Sequence, residues 1–277
     1  MNLKRNGALQ MDKEILIKSL QQKKAFISDM DGVVYHGSRL LPGAAEFVQF
    51  LLENKKDFLF LTNSSERTPK ELAAKLTRLG IDVGEEHFYT SALATADFLS
   101  RQKKNCSVFA IGEAGLYNAL YEKGITMNDV NPDYVVVGET RTYSYERIEK
   151  AVRLVLGGAK LVGTNPDMTG PTEQGIVPAT GALIAPIELA TNKKAYFIGK
   201  PNPFMMRRAV KNLEAKSCDT VIVGDRMDTD IIAGVEAEVD TVLVLSGVTA
   251  KEDLPRFAYT PKYVLKGLDE LTSLLKG

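Results

Sequence analysis

Hydrophobic positions along the chain form short continuous runs that alternate with longer stretches in which apolar residues recur at helical spacing. The continuous runs, rich in β-branched residues, predict buried strands, and the amphipathic stretches predict helices. The predicted strands are Lys24–Met30, Lys56–Asn63, Phe88–Ser91, Ser107–Gly112, Asp133–Gly138, Lys160–Asn165, Ala195–Gly199, Thr220–Asp225 and Asp240–Ser246. The predicted helices run from Pro42-Gly43 to about Asn54 and over Pro69–Leu79, Ala92–Arg101, Glu113–Lys123, Tyr145–Leu156, Gly181–Ala190, Pro203–Leu213, Asp228–Val235 and Asp269–Leu274. Apolar strands that alternate with helices indicate an α/β fold with a parallel sheet covered on both faces.

One segment, from Thr164 to Gly181, departs from this alternation because it is rich in residues that interrupt helices and strands. Its proline and glycine residues are Pro166, Gly170, Pro171, Gly175, Pro178 and Gly181. Such a composition predicts a loop and not an element of the core.

The composition is that of an ordinary globular protein. The chain has 277 residues, 44% hydrophobic and 25% charged, which fits one large domain or two small ones. Lys and Arg number 35 and Asp and Glu also number 35, so the net charge is zero. This balance argues against a general electrostatic grip on nucleic-acid polymers or anionic membranes.

The apolar runs, the cysteines and the histidines indicate where the protein is located and which groups can catalyse a reaction. No apolar run reaches the roughly 18 residues of a membrane span, and Met1–Gln10 lacks the apolar core of a signal peptide. Two cysteines, Cys106 and Cys218, are too few for a disulfide framework or a four-thiolate zinc site, and both are expected to be buried, reduced side chains in a cytoplasmic protein. Only two histidines are present, so any catalysis is expected to depend on carboxylates.

Acidic side chains follow two of the predicted strands. Asp29 and Asp31 are two positions apart, so an extended chain places them on the same side. Asp225 and Asp230 follow another strand. Ligands of open parallel sheets bind beyond the carboxyl ends of the strands. Carboxylates gathered there need a cation, and hard oxygen ligands favour Mg²⁺.

Groups suited to an anion follow two further strands. Thr62 and Asn63 offer hydroxyl, amide and backbone N–H donors near a predicted helix start, and Lys200 adds a positive charge. A nucleophilic carboxylate, a metal, a lysine and anion-binding donors together are typical of a phosphoryl-transfer site.

Each of these features also has an ordinary structural interpretation. Asp31-Gly32 is a common turn, Thr62-Asn63-Ser64-Ser65 a helix-capping cluster, and Lys200 alone a solvated lysine. Asp225 or Asp230 alone would cap the helix Asp228–Val235. Their joint order on successive strand ends favours the functional interpretation.

This joint pattern resembles the haloacid dehalogenase (HAD) superfamily of aspartate-nucleophile hydrolases. The matching motifs are Asp29-Met30-Asp31-Gly32-Val33, Thr62, Gly199-Lys200-Pro201, and Gly224-Asp225 with Asp230. The chain looks closest to the NagD-type phosphatases within this superfamily. The segments that carry this likeness are LPGAAEF, LTNSSERTP, FYTSALATADFL, NPDYVVVGETR, TNPD, IGKPNP, VGDRMDTDI and LVLSGV.

The resemblance implies a role for each matching residue. Asp29 is then the nucleophile and a Mg²⁺ ligand, and Asp31 is the general acid/base and binds the metal through its backbone carbonyl. Asp225 is implied to be a direct metal ligand and Asp230 an outer-shell partner. The residues implied to bind phosphate or substrate are Thr62, Asn63, Lys200, Arg226, Met227, Asp228 and Thr229.

The resemblance further implies an inserted cap domain. Residues 104–195 are expected to form an α/β cap, and residues 1–103 with 196–277 a Rossmann-like, HAD-like catalytic core. A cap loop carrying Asn165 and Asp167 is expected to contact the leaving group. Plain turn formation is the alternative for both residues.

The function implied is Mg²⁺-dependent hydrolysis of a phosphomonoester through an aspartyl-phosphate, with a nucleoside monophosphate such as UMP or GMP as the preferred substrate. The alternatives are a sugar-phosphate phosphatase and a catalytically weak regulatory protein that binds a phosphorylated metabolite. A receiver-type signalling domain also uses a phospho-accepting aspartate, but the cap-sized insertion and Asp31 argue against it. The expected partner is a small phosphorylated metabolite, and self-association through an apolar cap surface is left open.

Overall fold

The structure is a computed structural model that describes residues 14–172 and 174–277; Met1–Gln10, for which a signal peptide was excluded above, lies outside these ranges. The chain forms two compact units. One comprises the residues up to Leu59 together with Ala209–Gly277, and the other comprises Phe60–Arg208. Helices and parallel strands alternate along both, which confirms the predicted α/β class.

The strands form two parallel sheets and two antiparallel hairpins. In chain order they are β1 (Ala25–Ser28), β2 (Tyr35–His36), β3 (Arg39–Leu40), β4 (Asp57–Thr62), β5 (Phe88–Thr90), β6 (Ser107–Ile111), β7 (Thr126–Met127), β8 (Tyr134–Val137), β9 (Lys160–Gly163), β10 (Thr169–Thr172), β11 (Gly175–Pro178), β12 (Tyr196–Phe197), β13 (Thr220–Gly224), β14 (Asp240–Val244) and β15 (Tyr263–Leu265). The six-stranded sheet has the order β15-β14-β13-β1-β4-β5, and the five-stranded sheet the order β12-β9-β8-β6-β7. The hairpins are β2–β3 and β10–β11.

The helices alternate with strands along most of the chain. They are α1 (residues 14–21), α2 (Ala44–Glu53), α3 (Pro69–Arg78), α4 (Ser91–Gln102), α5 (Ala114–Glu122), α6 (Tyr145–Leu156), α7 (Thr180–Thr191), α8 (Pro203–Asn212), α9 (Ile232–Glu236) and α10 (Leu268–Lys276). The start of α3 shows why they begin where the sequence indicates. Thr68 and Glu71 form a reciprocal capping box with Pro69 in the first turn. Across the described residues, every helix is too short or too polar to cross a membrane.

The centre of the first unit is the pair β1 and β13. These strands run parallel, with Ala25 opposite Thr220, and every residue in both is buried. Burial on both faces explains why the strands read as continuous apolar runs without alternation. Phe26 of β1 packs edge-on against Phe47 of α2, with ring centroids 5.9 Å apart.

The second unit has its own core between the five-stranded sheet and its helices. Side chains of β8 and β9 pack with those of α6 and α7, among them Val135, Leu161, Ala151, Ile184 and Ile187. The strands β6 to β9 all fall within residues 104–195. The division into core and cap at residues 103 and 195 stays a prediction.

Four details differ from the sequence analysis. The predicted loop from Thr164 to Gly181 contains the hairpin β10–β11, which tolerates proline because a two-stranded ribbon leaves half of its N–H groups without a ladder partner. The strand before Lys200, β12, pairs with β9 and so belongs to the five-stranded sheet. Cys218 is exposed, and only Cys106 is buried. The predicted helix start at Asp228 is a π-helical turn over Met227–Ile231.

Candidate active site

Three carboxylates of the first unit come together at the ends of β1 and β13. Each of Asp29, Asp225 and Asp230 offers one oxygen, and these oxygens all lie within 4.8 Å of one another. Asp29 directly follows β1, and its N–H donates to the Val223 carbonyl at 2.8 Å, which continues the sheet ladder by one residue. Asp225 and Asp230 are buried and Asp29 is partly exposed. The cluster therefore has two inner carboxylates, those of Asp225 and Asp230, with the carboxylate of Asp29 beside them.

Two glycines let the backbone approach Asp225 closely. Gly32 has a φ of +79°, and a Cβ there would come within 2.5 Å of Asp225 Oδ2. A Cβ on Gly247 would lie 2.0 Å from the same oxygen. No real side chain tolerates such distances, so both positions require glycine for this carboxylate to keep its place.

Backbone donors fix the inner carboxylates. The Val248 N–H donates to Asp225 Oδ2 at 2.7 Å, and the Arg226 N–H donates to Asp230 Oδ2 at 3.1 Å. Asp230 thus does act on the backbone of the following turn, as the capping alternative predicts. It is also fully buried in the cluster, so the two roles coexist.

The donor set fits a hard divalent cation. Three like-charged oxygens within 4.8 Å repel one another unless a cation lies between them, and carboxylate oxygens are the ligands that Mg²⁺ prefers. Asp31 is not in this group and is partly exposed, in a bridge with Tyr35. Its predicted metal contribution is the backbone carbonyl, which leaves the carboxyl group for proton transfer.

In the second unit, Thr62 is the last residue of β4, and Asn63 begins the turn that follows it. The Thr62 Oγ1 accepts from the Ser64 N–H at 3.1 Å. The Asn63 Nδ2 donates to Asp167 Oδ2 and to the Lys200 carbonyl, each at 2.9 Å. Helix α3 begins only at Pro69 with Thr68 as its cap. The helix thus begins at Pro69 as predicted, and its cap is Thr68 and not the cluster Thr62-Asn63-Ser64-Ser65.

Lys200 is buried, with only 2% of its surface exposed. Its Nζ donates to the Leu61 carbonyl at 3.0 Å, one residue before Thr62. A buried ammonium at this place rules out the solvated-lysine alternative. The contact instead brings Lys200 to the end of the strand that carries Thr62.

Asn165 and Asp167 lie beside the same turn. Asn165 is fully buried, and its Nδ2 donates to the Asn63 carbonyl at 2.7 Å. Its Oδ1 accepts from the Asp167 N–H at 3.1 Å, which is the local turn that the structural alternative predicts. Asn165 therefore supports the turn from within the protein.

Comparison with known proteins agrees with this geometry. A model of the haloacid dehalogenase-like hydrolases matches residues 26–126, and a second HAD-hydrolase-like model matches residues 197–271. The chain is 46% identical to a dihydroxyacetone phosphatase of Corynebacterium glutamicum over 89% of this chain and 90% of that protein. It is 42% identical to the ribonucleotide monophosphatase NagD of Escherichia coli over 90% of this chain and 98% of that protein. The chain belongs to the HAD superfamily of hydrolases.

More specifically, it is a NagD-type phosphatase, which makes it a phosphoric monoester hydrolase. The solved structure of Escherichia coli NagD superposes with a TM-score of 0.85 at 41% identity, covering 90% of this chain and 98% of that one. An acid sugar phosphatase of Staphylococcus saprophyticus is 37% identical over 93% of this chain and 100% of that protein. The names of these relatives specify three different substrates, so family membership does not determine which substrate this chain hydrolyses.

The four residues after Asp225 in this NagD-type phosphatase have partners of their own. The Arg226 guanidinium donates to both Asp228 oxygens at 3.0 and 2.8 Å, and this pairing lowers the pKa of the Asp228 carboxyl. Met227 is buried in a hydrophobic cluster that also contains Ile231 and Leu243. Thr229 is also buried. Their predicted substrate contacts stay predictions.

One residue of the second unit was not singled out in the sequence analysis. The Glu139 carboxylate accepts from the Ser65 N–H at 2.8 Å, from the Ser65 hydroxyl, and from the Asn165 Nδ2 at 2.8 Å. Burial raises the pKa of Glu139, and these donors work against that shift. The only signal in the sequence was its place in the segment NPDYVVVGETR, which gives no hint of its partners.

Proposed function

We propose that the chain hydrolyses small phosphomonoesters in a Mg²⁺-dependent reaction that passes through an aspartyl-phosphate on Asp29. The observation that supports this most directly is the convergence of Asp29, Asp225 and Asp230 within 4.8 Å. Mg²⁺ held by these residues would neutralise charge on the nucleophile and on the transferred phosphoryl group. The phosphatase names of the relatives support the same reaction class.

The protein's own groups carry out two displacements. An Asp29 carboxylate oxygen forms a bond to phosphorus while the ester P–O bond breaks, and the protonated Asp31 carboxyl gives its proton to the leaving oxygen. The Asp31 carboxylate then takes a proton from water, and the water oxygen attacks phosphorus. The Asp29–phosphorus bond breaks, which releases inorganic phosphate and restores both aspartates.

Thr62, Asn63 and Lys200 are proposed to bind the phosphate group. The side-chain amide of Asn63 is already used on Asp167 and Lys200, so its proposed contribution is the backbone N–H. Lys200 contributes an ammonium that is shielded from water, where its charge acts more strongly on a phosphoryl group. Residues 226–229 are proposed to contact the substrate through the turn that they form.

Residues 104–195 are proposed to act as the cap that selects the substrate. Asp167, which is partly exposed, is the proposed contact with the leaving group. Asn165 is fully buried and is proposed to act on the turn that carries Asn63. We also propose that the enzyme works in the cytoplasm, because both cysteines are free thiols.

The first substrate candidate is a nucleoside monophosphate such as UMP or GMP, supported by the likeness to NagD. The second is a small sugar or triose phosphate. It is favoured by the 46% identity to a dihydroxyacetone phosphatase and by the acid sugar phosphatase among the relatives. The two classes share the phosphate group and differ only in what the cap must accept.

Phosphate release from one panel distinguishes these candidates. The panel contains UMP, GMP, dihydroxyacetone phosphate, hexose phosphates and 4-nitrophenyl phosphate, each with Mg²⁺ and with excess chelator. The highest kcat/KM on nucleotides supports the first candidate, and the highest on triose or hexose phosphates supports the second. Undiminished release in chelator would exclude the metal-dependent reaction.

A further inference from the structure

The carboxylate of Glu139 contacts the turn Thr62–Ser65 both directly and through one other side chain. The Glu139 Oε2 accepts from the Ser65 N–H at 2.8 Å and from the Ser65 hydroxyl. The Glu139 Oε1 accepts from the Asn165 Nδ2 at 2.8 Å, and the same amide donates to the Asn63 carbonyl at 2.7 Å. Glu139 thus reaches the turn directly at Ser65 and through Asn165 at Asn63.

The surrounding contacts leave little freedom in this arrangement. The Glu139 N–H donates to Ser65 Oγ at 3.1 Å, and the Thr164 hydroxyl donates to the same oxygen at 3.1 Å. Ser65, Thr164 and Asn165 have no exposed surface. Water therefore cannot replace a lost partner without a rearrangement of the packing.

The backbone itself brings the carboxylate to the turn. Glu139 follows β8 and Asn165 follows β9, which are neighbouring strands of the five-stranded sheet. A Cβ on Gly138 would lie only 2.6 Å from Ser65 Oγ. The residue before Glu139 is thus in direct contact with the turn, and a larger side chain there would push the two apart.

We propose that Glu139 is a positioning residue that fixes the turn Thr62–Ser65 in the conformation that binds the phosphate group. The inference rests on the proposed role of Thr62 and Asn63 in phosphate binding. Glu139 acts through Ser65 and Asn165 and does not touch the substrate. A displaced turn moves its N–H donors away from the phosphoryl oxygens, and such errors are costly in catalysis.

The test combines three variants with a matched control. Glu139→Ala removes the contact with Ser65 and the contact with Asn165. In Glu139→Gln, the amide oxygen can still accept from Asn165, but the amide nitrogen cannot accept from the Ser65 N–H. Ser65→Ala removes the serine hydroxyl alone. Glu113→Gln is the control. The Glu113 carboxylate also accepts from one hydroxyl and one backbone N–H, that of Thr140 and that of Arg141, each at 2.8 Å. Neither of these donors belongs to the turn Thr62–Ser65.

Two readouts separate positioning from mere structural support. The first is kcat/KM on UMP, dihydroxyacetone phosphate and 4-nitrophenyl phosphate, and the second is the inhibition constant of inorganic phosphate, both compared with Tm. We expect Glu139→Ala to lose about 100-fold and Glu139→Gln about tenfold in kcat/KM, by the same factor on every substrate. Phosphate inhibition should weaken in parallel while the folded fraction at the assay temperature is unchanged. Glu113→Gln should match the wild type.

Several outcomes overturn the proposal. Wild-type phosphate inhibition and kcat/KM in folded Glu139→Gln would do so, as would losses that follow Tm alone or differ between substrates. If Glu139→Ala fails to fold, Glu139→Gln and Ser65→Ala decide the matter by the same criteria. A wild-type enzyme that releases no phosphate from any substrate means that the proposed function itself fails. An active wild type with unaffected variants removes only the role of Glu139.

Discussion

Each unit of the molecule holds buried carboxylates, and the neighbours of these carboxylates differ between the two units. In the first unit, Asp29, Asp225 and Asp230 are gathered against one another. In the second, Asp97 is 8% exposed and lies between two cations, with Lys123 Nζ at 2.7 Å and Arg208 Nη2 at 3.2 Å. The first arrangement places three acidic groups side by side, and the second places one acidic group beside two basic ones.

The contrast illustrates how the acids that we propose for catalysis differ from an acid that stabilises the fold. Burial on its own raises the pKa of Asp97, but the hydrogen bond and charge of Lys123 and the charge of Arg208 outweigh it, so the pKa lies below its usual value. Asp97 thus stabilises the fold with partners already present. The three clustered oxygens of the first unit suit a divalent cation, and this is the cluster that we propose for catalysis.

The largest expected effect concerns Asp29, the proposed nucleophile. Asp29→Asn keeps the shape of the side chain but removes its nucleophilic charge, so kcat should fall by roughly 10⁴-fold or more. The fold should survive, as judged by circular dichroism. Asp82→Asn, at an exposed aspartate, is the control and should behave as wild type. Near-normal turnover of folded Asp29→Asn would place the chemistry elsewhere.

The second effect concerns the metal. Asp225→Ala removes one of the clustered oxygens, so the Mg²⁺ concentration for half-maximal activity should rise at least about tenfold. Titration of Mg²⁺ into chelator-treated enzyme measures this, with the exposed Glu252→Ala as control. Ca²⁺ should inhibit, because its larger and looser coordination shell misplaces the nucleophile. An unchanged Mg²⁺ requirement would mean that Asp225 is not a ligand.

The third test separates common chemistry from substrate selection. Lys200→Ala should lower kcat/KM on all phosphomonoesters together, by roughly 100-fold, because it removes charge stabilisation shared by every phosphoryl group. Asp167→Ala should change the order of substrates and spare 4-nitrophenyl phosphate. Profiles on one substrate panel check both. Reordering by Lys200→Ala with uniform loss in Asp167→Ala would reverse the assignment.

The smallest effect is on stability and falls on the second unit. Because the pKa of Asp97 is lowered in the folded state, its contribution is present above the unfolded pKa and is lost as pH falls through the folded value. Asp97→Asn should therefore cost about 2 kcal/mol at pH 7, and the difference from wild type should shrink in acid. Urea unfolding across pH measures this. The exposed pair Asp129–Lys150 provides the control Asp129→Asn, which should leave stability unchanged. A difference that does not depend on pH would show that Asp97 acts by packing.

The sequence predicted the regular elements and the polar strand ends well, because both are local. Continuous apolar runs marked β1, β4 and β13, and Asp225 and Asp230 stood out beside a strand end. The partner of β12 was not predictable, since a strand of two residues carries no signal for which sheet it joins.

Contacts between side chains that are far apart in the sequence could not be predicted either. Glu139 meets Ser65 across 74 positions of sequence, and Asn165 meets Asn63 across 102. Their roles depend on which loops the fold brings together, and no periodicity encodes that. The hairpin β10–β11 was missed because its prolines and glycines are loop formers by composition alone.

The glycines around Asp225 have a consequence for protein engineering. Gly32 and Gly247 contribute no functional group, yet each lies where a single added carbon would meet the Asp225 carboxylate. Grafting the aspartates alone onto another α/β scaffold would therefore transfer the carboxylates without the space that they need. The unit to transfer is the set of carboxylates together with the glycine backbone that faces them. A list of the acidic side chains alone omits these glycines.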